Sequence, residues 1–357
     1  MDSIDNVIAA LSWCAVIGLP AAAVYGRWVK FRIRQHVLPP SSELPSQDNP
    51  VLLYSLVSNQ NGKSSHDAPR PAEVAGELLH LAALGAVEVT HESRPEGAGV
   101  RKYYVEPITK DGIFVRLVDP RLADDDLGRA FITTLFGPDC TRGQRIELGD
   151  MLECDLQGHC YKGAMCFEPF NSGLRAAVYA RFPAWKESRT WSIAIMVLSF
   201  ILPVTVFICA VIFDPDALAI PFLFMLLVAP VAFFVGRNIN RASPEDMALK
   251  ERCVAFLNWA WRPQRAGETE KMSLRHWNNV LVMAAALGAD ERTLNDLGRH
   301  KLAGVGSNAG DEIDLRPLFR RDIPRANAFR RDDPGVSAVA AIVSLVGDYN
   351  EAFAALS

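Results

Sequence analysis

The chain has 357 residues, half of them hydrophobic, with a formal net charge of −4 and a pI near 6.0. That length allows two ordinary domains, and the charge gives no global attraction to nucleic acid or anionic lipid. A mean hydropathy of +0.09 means that apolar residues are concentrated in particular stretches. Seven scattered cysteines, with Cys14 and Cys209 inside apolar runs, do not suggest a disulfide framework and suit a reducing compartment.

Residues 7–25 carry no charge. At about 1.5 Å per residue, a helix of this length nearly matches a hydrocarbon core of roughly 30 Å. Residues 191–213 and 217–236 are likewise free of charge, so three transmembrane helices are expected. Pro20, Pro203, Pro221 and Pro230 are tolerated in such helices because neighbours re-satisfy the freed carbonyls. A cleaved signal peptide is the rival for the first run, with Ala21-Ala22-Ala23 resembling a processing site. Signal peptides carry positive charge before the apolar core. Here Asp2 and Asp5 precede it, while Arg27, Lys30, Arg32 and Arg34 follow. The order predicts an uncleaved reverse anchor with its N-terminus outside. Lys186 and Arg189 precede the second span, Arg237 and Arg241 follow the third, and only Asp214-Pro215-Asp216 lies between them. The expectation is a multi-pass protein of the plasma (inner) membrane, with residues 27–190 and 237–357 cytoplasmic.

After the first span come a Pro/Ser linker (Pro39-Pro40-Ser41-Ser42, then Pro45), a short apolar stretch at 51–57 and a polar loop at 59–69. Pro71 opens a helix where its missing donor costs nothing. Val74, Leu78 and Leu81 follow at helical spacing, and Gly85 closes the run. Residues 86–91 alternate as a strand. A loop with Pro95, Gly97 and Gly99 then turns back into Lys102-Tyr103-Tyr104-Val105. Helix, strand, glycine loop and strand make a winged-helix-like pattern. Helices at 126–136, 150–156 and 172–182, with a strand at 145–148, complete an α+β domain. Beyond the hairpin, helices are predicted at 247–261, 274–287 and 291–301. Residues 304–334 read as an extended or partly disordered tether. A closing helix at 338–356 has an apolar part too short to span and is expected to dock or to lie at the interface.

The fold class expected is therefore a membrane protein with three transmembrane helices, a winged-helix-like α+β cytoplasmic domain and a mainly α C-terminal cytoplasmic region. Its parts are residues 1–36 (anchor and basic stop), 37–189 (α+β domain), 190–237 (transmembrane hairpin), 238–303 (helical region) and 304–357 (tether and final helix).

Four potential zinc ligands, Cys154, His159, Cys160 and Cys166, lie close together with Cys140 upstream. Their gaps are not the Cys-x₂₋₄-Cys knuckles of structural zinc, so unlinked thiols are the plainer reading and no cofactor is expected. A Cys154–Cys160 thiol switch has only Lys162 nearby to lower a thiol pKa. Asp124-Asp125-Asp126 precedes a helix and reads as a cap rather than a metal cluster. His80 and His91 read as packed or exposed rather than catalytic. Gly97 and Gly99 lack the Lys and the following helix of a phosphate loop. No nucleophile elbow or HExxH is present, and the spans hold no ionisable residue for an ion path. Residues 38–185 hold 14 Lys/Arg against 20 Asp/Glu, and the helix that would enter a DNA groove offers Glu73, Glu77 and His80. Nucleic acid is thus not an expected partner.

The block Pro71-Ala72-Glu73-Val74 with residues 78–89, the Leu135-Phe136-Gly137 segment, Leu249-Lys250-Glu251-Arg252, Phe256-Leu257 and the Ala-Ala-Ala-Leu-Gly run ending at Gly288 carry a resemblance. Together with the span, basic stop and Pro-rich linker, they are similar to the YciQ-like predicted membrane proteins of bacteria, the DUF2207 type. The likeness runs over about residues 5–300. That family usually has a large extracytoplasmic β-domain before the first span; this protein is expected to lack it, and on that expectation an envelope-sensing role is not implied. The resemblance brings no established active site.

The function expected is non-enzymatic: a membrane-anchored cytoplasmic interaction or assembly protein, with the lipid bilayer and a protein partner or second copy as its partners. No small-molecule substrate is identifiable. The alternatives are a tethered sensor or regulator using the 154–166 segment or the winged helix, and a subunit of a membrane enzyme or transport complex.

Overall fold

Charge-free stretches that long must satisfy their backbone internally in hydrocarbon, and helices do so. In the computed structural model, three helices are long and apolar enough to cross a membrane, within α1 (Asp2–Val24) with its π-helical continuation Tyr25–Lys30, α6 (Pro183–Ile212) and α7 (Pro215–Arg237). The structure describes residues 2–30, 37–58, 70–93, 111–148, 167–212, 215–237, 239, 243–262, 272–299, 313–319, 337–343 and 346. All four span prolines lie inside these helices.

The described residues divide into two units: a span bundle of residues 1–36 and 179–248, and a second unit made jointly by residues 37–178 and 249–357. In the bundle, Val16, Leu19, Ala23, Ile195, Met225, Ala232 and Ile239 form the buried seam. Glycines let the helices approach. A Cβ on Gly236 would lie 2.7 Å from Ile195 Cγ2, and one on Gly26 would collide with the Trp191 indole. Ser192 Oγ donates to the Gly236 carbonyl at 2.8 Å, and Ser12, Ser199 and Thr205 each donate to a carbonyl of their own helix, so these hydroxyls are satisfied without water. Residues 26, 191, 192, 236 and 239 share one end of the bundle. There Lys30 pairs with Glu187 and lies over the Trp191 ring.

The second unit is built around two helices that are buried on nearly every side, α3 (Pro71–Ala83) and α9 (Leu274–Ala286). They meet at Gly76, where a Cβ would lie 2.6 Å from Ala286 Cβ and 2.8 Å from its Cα. Pro71 sits at the first position of α3, and Glu73 Oε2 accepts the Arg70 N–H at 2.9 Å. Gly85 ends the helix at φ +77°, a conformation that favours glycine. The apolar stretch at 51–57 forms α2 (Pro50–Val57), capped by Asn49.

Strands β1 (Val87–Ser93), β2 (Asp111–Leu117) and β3 (Arg145–Glu147) form an antiparallel sheet in the order 1-2-3, with Val89 opposite Val115 and Phe114 opposite Glu147. The alternation read at 86–91 turns Val87 and Val89 inward. The strand that returns to β1 is Asp111–Leu117; residues 102–105 lie outside the described residues, as does the helix expected at 150–156. Helices α4 (Asp126–Phe136) and α5 (Glu168–Arg181) meet edge to face through Phe131 and Phe170, 4.8 Å between centroids. Beyond the spans come α8 (Pro244–Ala260) and α10 (Glu291–Gly298).

Within the stretch read as a tether, residues 313–319 are docked instead. The short helix α11 (Arg316–Phe319) buries Phe319 against Gly298, and Leu315 is also buried. Few aliphatics are present there, but these two fit prepared sites. Residues 338–343 are helical, with Val339 and Ile342 fully buried. Two spans separate residues 37–178 from 249–357 and return the chain to the side it left, which the joint fold of these segments requires.

Candidate functional site

The Asn49-Pro50 pair starts α2, and Asn49 uses all of its side chain. Its Oδ1 accepts the Val51 N–H at 3.0 Å, while Nδ2 donates to Glu77 Oε2 and to Asp125 Oδ2, each at 3.0 Å. Asp125 in turn caps α4, its Oδ1 accepting the Gly128 N–H at 2.6 Å. One amide therefore ties the starts of α2 and α4 to the middle of α3 through two carboxyl groups.

Glu77 is fully buried, and its Oε1 has no hydrogen-bond partner among the described residues. Burial pushes its carboxyl up to about 8, and the nearby Asp125 and Asp124 push the same way, against the Asn49 hydrogen bond. The group keeps its proton at neutral pH, which removes the cost of a buried charge.

One turn along α3, His80 faces a cleft of about 810 Å³. Residues 44–50, the end of α3, Asp124, Ile313 and the face of α9 that carries residues 275–283 make its walls, and Leu84, Val282 and Met283 supply apolar lining. His80 Nε2 lies 3.9 Å from Asp124 Oδ1, beyond hydrogen-bond range. Burial lowers the His80 pKa against the opposing pull of Asp124 and Asp125, so the imidazole is uncharged at neutral pH. At the far wall Asn278 is fully engaged: Nδ2 donates to the Ile313 carbonyl at 2.6 Å, and Oδ1 accepts the Leu315 N–H at 3.3 Å. The cleft thus combines a carboxylate, a neutral imidazole and apolar surface, the mixture common in small-molecule sites.

The metal-ligand set read from the sequence, Cys154, His159, Cys160 and Cys166, lies outside the described residues. Among the described residues, no group of three or more His, Cys, Asp or Glu is placed to hold a metal ion. Asp124-Asp125-Asp126 does start a helix, with Asp125 as its cap, but Asp125 also reaches Asn49 and Asp124 reaches the cleft. Helix α3, read as the element that would enter a DNA groove, is a core helix with Glu73 and Glu77 buried. Cys253 is buried too, which pushes its thiol up to about 12 and leaves it unreactive at neutral pH. Sequence reasoning missed Asn49, Asn278 and His276, the last a second histidine lining the cleft. Asn49 was findable, as an Asn-Pro helix start before an apolar run. The other two acquire meaning only because α9 packs on α3.

Residues 38–297 match the family described as the predicted membrane protein (DUF2207) C-terminal domain, and the chain belongs to that family. No curated protein and no solved structure matches it.

Proposed function

We propose that this member of the DUF2207 family is a membrane-anchored interaction or assembly protein of the cytoplasmic face, working by binding rather than catalysis. The observation that carries the reading is the joint unit, whose central helices come from opposite sides of the transmembrane hairpin. A fold interrupted by two spans cannot leave the membrane, so whatever it binds is held at the bilayer. Basic flanks support the cytoplasmic side of an inner membrane: Arg27, Lys30, Lys186, Arg189 and Arg237 all adjoin the same end of the spans. The α3–β1–β2 arrangement is read as winged-helix-like, with the sheet rather than the buried α3 left to contact a protein partner or a second copy.

Reporter fusions test the side. A reporter inserted in the exposed turn at Pro138-Asp139 and another after Arg262 should both report from the cytoplasm; either one reporting from outside overturns the reading. Chemical crosslinking of the full chain in native membranes should yield a discrete adduct with itself or with one protein, and a solitary chain would leave no assembly role.

A further inference from the structure

We propose that the cleft between α3 and α9 binds a small organic cation, a protonated amine or guanidinium carried on an apolar body. The site lies wholly within the joint unit and goes beyond the assembly reading, since it stands whichever side of the membrane that unit occupies.

Charge selects the ligand. Asp48 and Asp124 line the cleft against one guanidinium, that of Arg275, which already interacts within the protein, and a second imidazole, that of His276. Asp48 accepts from Ser46 Oγ at 2.7 Å, so part of its charge is also committed. Asp124 is different. Its side chain is 64% exposed and its charge faces His80, which is too distant to hydrogen-bond and uncharged at neutral pH. A carboxylate in that position gains most from a ligand that brings its own positive charge and N–H donors. Around it, the amides of Gln47 and Asn279 offer uncharged hydrogen-bonding groups, while Leu84, Val282 and Met283 offer apolar contact for a ligand body. The volume falls within the range of small-molecule sites, roughly 300–1,000 Å³.

Rival ligands fit less well. An anion would be desolvated beside two carboxylates, with the one guanidinium already engaged. A bare metal ion would find Asp124 and His80 near each other, but among the described residues no group of three or more His, Cys, Asp or Glu is placed to hold it.

The test is calorimetric titration of the full chain in phosphatidylcholine nanodiscs, whose zwitterionic lipid does not compete for cations. The probes are benzamidine and phenethylamine, with benzamide as the neutral analogue and inorganic phosphate as the anion. The cations should bind saturably, and benzamide about tenfold more weakly or not at all. Asp124→Asn should weaken benzamidine about tenfold. Asn279→Trp, at an exposed lining position, should fill the cleft and abolish binding, and both variants should melt as the wild type does. Failure of both cations to saturate, phosphate binding as tightly as they do, or unchanged affinity in both variants overturns the proposal.

Discussion

The span bundle and the joint unit bury their apolar residues to opposite extents. Only 22%, 22% and 28% of the most apolar windows of the three spans are buried within the protein. In α3, nine of thirteen residues are buried, and in α9 ten of thirteen. Hydrocarbon already solvates leucine and phenylalanine, so the spans keep Leu227 and Val211 facing outward and associate through a narrow seam of aliphatic residues and alanines and through aromatic contacts such as Trp13 with Phe224. In water the same residues must be covered, and α3 and α9 cover each other. Each unit uses glycine to bring helices together, but against different obstacles. Gly236 faces Cγ2 and Cβ at the stem of the Ile195 side chain, whereas Gly76 faces Cβ and the backbone Cα of Ala286.

The sharpest way to break this comparison is Gly76→Val. A branched side chain there cannot be accommodated without separating α3 from α9, and a loss of about 3 kcal/mol or more is expected. Thermal melting of the solubilised chain should fall steeply, and limited proteolysis should cut the two halves of the joint unit apart. Unchanged melting would mean that this contact does not hold the halves together.

Next in size is the pH dependence carried by Glu77, a feature only a water-excluding core can create. Its carboxyl titrates near 4.5 when unfolded and is pushed up to about 8 when folded. Below the lower value both states are protonated. As pH rises between the two values the unfolded chain releases its proton first, so stability falls until the folded group also ionises. At about 1.4 kcal/mol per pH unit, the loss reaches a few kcal/mol. Glu77→Gln cannot ionise, so its stability relative to wild type should improve steadily from about pH 5 to about pH 8 in melting experiments. Taking that difference isolates Glu77 from His80, whose lowered pKa acts with the opposite sign. A constant difference would mean that Glu77 titrates normally.

The smallest effect is expected in the bundle. Gly236→Ala places its methyl 2.7 Å from Ile195 Cγ2 and 3.1 Å from Cβ, so Ile195 must leave its helical rotamer or α6 and α7 must part slightly, and a loss of about 1–2 kcal/mol is expected by thermal melting in nanodiscs. A larger loss than Gly76→Val gives would reverse the contrast between the two units.

Much of the architecture was legible along the chain because it depends on local patterns. Absence of charge marked the spans, and helical periodicity with terminal caps marked α3, α4, α9 and α10 within a few residues. Period-two alternation marked β1. The return strand was harder: Lys102-Tyr103-Tyr104-Val105 has the stronger strand composition, yet β1 takes Asp111–Leu117, whose Ile113, Val115 and Leu117 are buried. Residues 313–319 were misread as tether because a two-residue apolar anchor, Leu315 and Phe319, is too sparse to stand out without the sites that receive it.

By itself, then, the sequence determined where the membrane helices lie and which segments form helix or strand, because solvation by hydrocarbon and backbone periodicity act over neighbouring residues. Only the tertiary structure decided that residues 37–178 and 249–357 are one unit, that Asn49 bridges Glu77 and Asp125, and that Asp124, His80 and α9 enclose a cleft. Those depend on which faces meet across some two hundred residues of chain and two spans, and close packing, unlike periodicity, leaves no mark on any one segment.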